Sequence, residues 1–585
     1  NSITVDKTPA AIWVMALSVR IFGLSSWSVL VPQALEGVAA VGVLYLAVRR
    51  TSGAAAGLIA GAILAITPVA ALMFRFNNPD SLLVLLLVIG GYCLIRALET
   101  GSTKWLVWVG AMVGFGFLTK MLQALLVVPA FALVYLVAAP NPVRRRIVPL
   151  LLAGAAMVVS AGWWIAIVSL IPAADRPYIG GSQHNSILEL TLGYNGFGRL
   201  TGNETGSVGG GGPGGGNGGG MWGSTGASRL FGSDMGSQIS WLLPSALLLL
   251  AAGLWFTRKA IRTDRTRAAL LMWGGWLLVT AVVFSYAKGI IHPYYTVALA
   301  PAIGAVVGIA VTLLWRLRHQ LSASVLLALS VLVTAGWEYE LLDRTPNWLP
   351  WLRYAILMAG VASALLLVVV SRLVRQVGTV IAAVALIVGL AGPSAYAIST
   401  ARTPHSGSIP SAGPAGASVG GPGGGPGGRG GFGGPPTGAT NGGFGGPTGG
   451  SGGPTGGFGG PTGGFGGTTG GATGGFGGGL GRGGAGGGAA GGLLNASSPS
   501  AALVTALKAN SSSYTWVAAA VGSNTAAGYQ LATQKPVMPI GGFNGSDPSP
   551  TLAQFKALVA QHEIHYFIAS GGVGGGDGGA GGQSS

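Results

Sequence analysis

About a dozen apolar runs of membrane-crossing length, separated by short polar loops, constrain this chain more than any other feature. Roughly 20 apolar residues in helical form cross a hydrocarbon core, and in lipid only helices or closed barrels satisfy their own backbone groups. The runs fall at about 26–48, 53–73, 81–98, 104–119, 121–139 and 147–171, then at about 240–257, 268–287, 294–315, 321–336, 351–370 and 377–397. An earlier stretch, 8–23, is shorter and interrupted by Arg20, which suits a helix lying at the membrane surface. Only 8% of the residues are charged, about a third of the usual share in soluble domains. The expected fold is an all-α polytopic membrane protein of about 12 transmembrane helices.

The formal net charge of +17 could suggest nucleic acid, so the basic residues must first be placed. Arg49 and Arg50, Arg96 and Lys104, Arg144 to Arg146, Arg258 to Arg267, Arg316 and Arg318, and Arg372 and Arg375 fall at every second boundary. Basic residues accumulate in cytoplasmic loops, so the charge is read as a topology signal and no nucleic-acid partner is expected. The opposite, extracytoplasmic face then receives the chain start, residues 75–80, Lys120, the loop 172–239, the loop around His292 and everything after about 398. The expected localisation is the plasma membrane, crossed many times, with the end of the chain outside.

On that outer face lies a polar clasp, Arg75-Phe76-Asn77-Asn78-Pro79-Asp80, between two apolar runs. A carboxylate at the bilayer centre would cost about 2.5–3.5 kcal/mol, so Asp80 needs a reason. Asn78 and Asp80 could simply cap the following helix, with Pro79 in its first turn. The alternative is a polar site, because the same face collects Asp6, Lys7, Lys120, Glu189, Arg199, Lys288, His292, Tyr294 and Tyr295. Any one Lys or Tyr in this set is explained by anchoring at the interface; acids and bases gathered together are not. A transporter would carry ionisable residues at mid-membrane depth, where Glu36 is the main candidate. The lone Cys93 excludes an intramolecular disulfide and a Cys-based metal site.

Five segments are expected: 1–25, an outer loop and surface helix; 26–400, the membrane domain with its loop 172–239; 401–495, a glycine-rich disordered linker; 496–573, a small domain; and 574–585, a disordered tail. The loop 172–239 holds ordinary sequence first and a glycine insert, Gly209 to Gly220, second. Its GxGxxG-like neighbours in the linker have no strand before or helix after them and carry no dinucleotide signal. Residues 498–572 alternate helix and strand, with strands at 514–520, 537–540 and 565–569, which implies a small α/β domain with a parallel sheet, too small to be very stable unless it docks. His562, Glu563 and His565 look like metal ligands but lack a zinc-binding spacing.

Several motifs resemble one family. Asp6-Lys7-Thr8-Pro9, Asn77-Asn78-Pro79-Asp80, Gly116-Phe117-Leu118-Thr119-Lys120, Tyr194-Asn195-Gly196-Phe197-Gly198-Arg199 and His292-Pro293-Tyr294-Tyr295 resemble segments of bacterial GT-C polytopic glycosyltransferases. These are the ArnT-like and protein O-mannosyltransferase superfamily, with a YkcA/YkcB-type mannosyltransferase branch that carries a carboxyl-terminal outer domain. The resemblance covers about residues 4–400 and, more weakly, the terminal domain. Such proteins have thirteen spans, so twelve here would fit a fragment lacking the first span and the loop that usually carries the catalytic acid. Thr8 also replaces the first Pro of the family's usual pair.

The resemblance implies transfer of a sugar, a hexose such as mannose, from a polyprenyl phosphate to a glycan, lipid or protein acceptor in the cell envelope, by direct displacement with inversion. Such a reaction needs a carboxylate for the acceptor's proton and positive charge for the departing phosphate. The resemblance implies phosphate contacts from Lys7 and Lys120, assisted by Arg199 or His292, with Tyr194, Asn195, Tyr294 and Tyr295 beside the substrate. Asp6, Asp80 and Glu189 are the catalytic candidates, Asp80 in a supporting role that orients the acceptor or binds a divalent metal, the one cofactor left open. Two other readings stand beside this one: a transporter or flippase of a lipid-linked precursor, and a wall-spanning adhesive protein presenting its terminal domain.

Overall fold

The computed structural model describes residues 2–203, 224–370, 373–405, 407–414, 496–543 and 545–569. The glycine insert, most of the linker and the tail lie outside the described residues, as do the expectations made for them. The chain opens with α1 (Ala10–Phe22), a helix of 13 residues, whose Trp13, Leu17, Ile21 and Phe22 are exposed. It continues through α2 (Ser26–Ser52), α3 (Ala54–Ile66), α4 (Pro68–Met73), α5 (Asp80–Thr100), α6 (Thr103–Lys120), α7 (Val128–Ala138) and α8 (Ile147–Leu170). After two short helices, α9 (Gly198–Thr201) and α10 (Gly236–Ile239), come α11 (Leu243–Phe256), α12 (Arg265–Tyr286), α13 (Ala300–Arg316), α14 (Leu321–Asp343), α15 (Pro350–Val368) and α16 (Arg375–Arg402).

Among the described residues, ten helical runs are long and apolar enough to cross a membrane. The expected twelve differ for two physical reasons. The run at 53–73 is broken between α3 and α4 where Pro68 follows extended Thr67, since the residue before a proline leaves the helical region. Residues 103–138 form one continuous run, but it reverses direction at Met121, whose φ is 51°. The reversal is visible at the far ends, where Asn141 Nδ2, after α7, donates to the Gly101 carbonyl, before α6, at 3.0 Å. Two passes therefore share that run.

One apolar core joins α2, α3, α5, α6, α7 and α11 to α14, with Leu44, Leu64, Leu83, Trp273, Trp276 and Val306 fully buried. At the end rich in arginine, Glu99 binds Arg50 at 2.9 Å and Arg96 at 3.0 Å. The clasp residues gather at the other end of α5, where Arg75 donates to the Ala401 carbonyl at 2.8 Å. This multi-pass architecture is that of a membrane protein.

The carboxyl-terminal domain is α/β: helix α17 (Ala501–Lys508), β1 (Trp516–Val521), α18 (Ser523–Thr533), β2 (Val537–Ile540), α19 (Leu552–Ala560) and β3 (Ile564–Ile568). The sheet order is β2-β1-β3, and both pairings are parallel, with Ala518 opposite Val537 and Tyr566. A buried parallel sheet favours continuous apolar strands, and Val517 to Ala520 are all buried.

Candidate functional site

Asp80 begins α5 and Lys120 ends α6, so the site starts where two antiparallel helices meet. Both Lys120 Nζ contacts to the Asp80 carboxylate are short, 2.7 and 2.5 Å, and Asp80 is fully buried. Capping takes a different form from the one expected. Pro79, not Asn78 or Asp80, occupies the N-cap position, while the Asn78 side chain accepts the Asp80 amide at 3.0 Å. That leaves the Asp80 carboxylate for Lys120.

The other side of Lys120 is aromatic. Its ammonium stands 3.8 Å from the Tyr295 ring centroid and 5.4 Å from that of Tyr294, an arrangement in which the ring face attracts a cation. His292 stacks on Tyr294 with centroids 5.1 Å apart and meets Tyr295 edge-on. Burial, reinforced by Arg199, Lys120 and Lys7, pushes the His292 imidazole well below its usual range, so it is neutral at physiological pH.

A second branch comes from the loop after α8. Residues Glu189–Phe197 form a wide helix interrupted at Gly196. It carries Asn195, whose Nδ2 donates to the Asp6 carbonyl at 2.8 Å and whose Oδ1 accepts from Arg199 at 3.1 Å. The Arg199 guanidinium lies 4.8 Å from the Tyr194 ring centroid. Asp6 pairs with Lys7 at 2.7 Å, and Thr8 Oγ1 donates to the Phe117 carbonyl, tying this segment to α6.

These branches frame a cavity of about 410 Å³. Five candidate residues, Lys7, Lys120, Asn195, Arg199 and Tyr295, form its polar end, and Leu122, Leu125, Leu126, Val279, Val283 and Phe284 are among its apolar walls. Asp6, Asp80, Tyr194, His292 and Tyr294 stand behind, each in contact with a cavity residue. Glu189 is not brought there. Its carboxylate accepts the Gln183 and His184 amides, both at 2.9 Å, and so closes its own loop. The apolar walls escaped sequence reasoning, because a cavity-lining leucine and a lipid-facing one have the same hydropathy.

Among the described residues no three His, Cys, Asp or Glu side chains form a group able to hold a metal ion. The terminal His562, Glu563 and His565 do not make one; His565 stacks on Tyr514 instead, at 4.1 Å.

Residues 6–165 match the family described as dolichyl-phosphate-mannose-protein mannosyltransferase. Residues 503–585 match the family described as "Putative mannosyltransferase YkcB-like, C-terminal". Two Bacillus subtilis (strain 168) proteins are similar over 97% of this chain. "Putative mannosyltransferase YkcB" is 31% identical with 81% of its length covered, and "Putative mannosyltransferase YycA" is 29% identical with 84% covered. A crystal structure of ArnT from Cupriavidus metallidurans bound to undecaprenyl phosphate is 21% identical, with 66% of each chain covered and a TM-score of 0.42. By its 31% identity along nearly its whole length, this chain belongs to the YkcB-like family of membrane glycosyltransferases.

Proposed function

We propose that this protein moves a sugar, a hexose such as mannose, from a polyprenyl-phosphate donor to an envelope acceptor outside the cytoplasmic membrane, with inversion at the anomeric carbon. The observation that carries this reading is the two-natured cavity, cationic at one end and apolar along its walls. A lipid-linked phosphosugar has the same two natures. Three cations, Lys7, Lys120 and Arg199, stand against two carboxylates, Asp6 and Asp80, and the remaining unit of positive charge matches a phosphodiester.

In this reaction the acceptor hydroxyl gives its proton to a carboxylate as its oxygen attacks the anomeric carbon. The bond from that carbon to the phosphate oxygen breaks, and the electron pair leaves with the phosphate. Cations held in a water-poor site stabilise that charge as it develops. Asp6 is the best placed base, since Glu189 is engaged in its own loop and Asp80 is fully buried against Lys120, whereas Asp6, though paired with Lys7, keeps part of its side chain exposed beside the cavity. Asp80 then fixes the Lys120 ammonium, and the Tyr295 ring fixes its approach. The names of the two relatives, each "putative mannosyltransferase", point the same way.

The test is transfer from labelled polyprenyl-phosphate mannose by the protein in lipid nanodiscs. Loss of a general base lowers kcat by about 100-fold or more, which is the result expected for Asp6→Asn. Undiminished turnover in both Asp6→Asn and Asp80→Asn overturns the assignment. A flippase would instead carry the labelled lipid intact across a proteoliposome bilayer.

A further inference from the structure

Asp547 lies in the glycine-rich turn that follows β2 and is 9% exposed. Its Oδ2 accepts the Gly181 amide, in the loop after α8, at 2.9 Å. Gly542 in the same turn, with φ 67°, comes so near the amino-terminal segment that an added Cβ would stand 3.0 Å from Ile3 Cδ1. One turn of the α/β domain thus rests on both segments that build the surroundings of Asp6. Those segments are joined to each other, because Thr4 donates its amide to the Tyr178 carbonyl at 2.8 Å and Gly180 donates to Thr4 Oγ1 at 3.0 Å. Gly181 lies directly against Asp6: with φ 80°, a Cβ there would stand 3.0 Å from Asp6 Cβ and 2.9 Å from Leu190 Cδ1.

We propose that Asp547 is a positioning residue, which by accepting the Gly181 amide fastens the α/β domain to the wall behind Asp6 and holds Asp6 and its partner Lys7 beside the cavity. The domain is then a working part of the outer site rather than a passenger on a linker. Its strands present their carboxyl ends to the contact, the edge at which open α/β sheets place their functional loops.

An acid at this point has a consequence that a neutral acceptor would not have. Asp6 from the amino-terminal segment, Glu189 from the wide helix and the Tyr178 hydroxyl share the environment of Asp547, while Lys7 is committed to Asp6. Burial pushes the Asp547 carboxyl up to about 6, the Gly181 hydrogen bond opposes the rise, and Asp6 and Glu189 add to it. A carboxyl raised in the docked state binds its proton more tightly there. Docking is therefore firmest below the ordinary carboxylate range and weakens as pH rises through about 6.

The test uses the full chain in nanodiscs and follows hydrogen–deuterium exchange of residues 178–189 together with turnover; the turnover arm rests on the transferase reading, the exchange arm does not. Asp547→Ala is expected to speed exchange of that segment about tenfold, as loss of a protecting hydrogen bond does, and to lower kcat about 10- to 100-fold with little change in KM for the lipid, as misplacement of a reacting group does. Asp547→Asn keeps an acceptor for Gly181 and is expected to restore protection and turnover, and to lack the pH dependence of protection expected of the parent between pH 5 and 8. Unchanged exchange in the Ala variant overturns the proposal, as does an Asn variant no better than Ala. A tether separates loss of the hydrogen bond from misfolding. Asn524 Nδ2 donates to Ser408 Oγ at 3.0 Å, and Cys93 is buried, so Ser408→Cys with Asn524→Cys is expected to be joined by a short bis-thiol-reactive crosslinker in the parent and in the Ala background alike. Failure of that pair to join in the parent chain overturns docking itself.

Discussion

The Asp80 and Lys120 pair is where single residues decide most. Both are buried, with side-chain exposures of 0% and 7%. Removing one partner strands the other charge, at a cost of about 3–5 kcal/mol, whereas removing both with similar volume is close to neutral. Asp80→Asn and Lys120→Met alone are therefore expected to lower the unfolding temperature in detergent, and the double variant to recover most of it while transfer stays lost. Single variants as stable as the parent would show that the pair is not closed in solution. Asp80 was legible in the sequence because a carboxylate between apolar runs needs a reason. Lys120 was legible as a residue of the same face and, by resemblance, as a phosphate contact, but not as the partner of Asp80, since helix packing joins positions 40 apart and no local pattern records it. Glu189 and Asp547 mark the limit. One folds back onto its own loop, and the other crosses 366 positions to Gly181; neither contact has a periodicity to read.

At the scale of the elements, hydropathy found the membrane helices and missed how closely some approach. On α6, a Cβ at Gly110 would collide with the Ala153 carbonyl of α8, and one at Gly114 would stand 2.5 Å from the Met157 carbonyl. Small residues let helix backbones pack closely in lipid, and a carbonyl cannot move aside as a side chain can. Gly154 and Gly162 on α8 have open space where their Cβ would be. Gly110→Ala is accordingly expected to cost about 1–3 kcal/mol by overpacking, and Gly154→Ala to cost nothing or gain up to about 1 kcal/mol by stiffening the unfolded chain. Thermal unfolding of both in one detergent checks the contrast, and equal effects would remove the packing argument. The sequence shows glycines at all four positions alike. Only the approach of α8, set by the reversal at Met121 and the return of the chain, distinguishes them.

For the whole molecule, what matters is which polar contacts hold parts whose apolar interiors are separate. The α/β domain buries its own clusters, one around Leu507, Val517 and Val537 and another around Ala519, Met538 and Ile564, and among the described residues neither includes one from the membrane helices. The short segment after α16 is different. Ala412 donates to Gln238 Oε1 at 2.8 Å and accepts from Gln238 Nε2 at 3.1 Å, while Gly413 donates to Thr400 Oγ1 at 2.9 Å. Gln238 is 2% exposed, so losing both bonds leaves a buried amide unsatisfied, at about 1–3 kcal/mol for each group. Removal of 415–585 is thus expected to leave the membrane core at its parent stability, and removal of 403–585 to lower it. Both shortened chains should keep sugar transfer at a reduced rate, because the cavity and its cations lie wholly within residues 7–295. An adhesive protein would lose all function in either. If the two chains unfold at the same temperature, the Gln238 clasp is not formed in the membrane. If transfer ceases in both although the core remains folded, the terminal domain supplies a reacting group and not only the hold on Asp6.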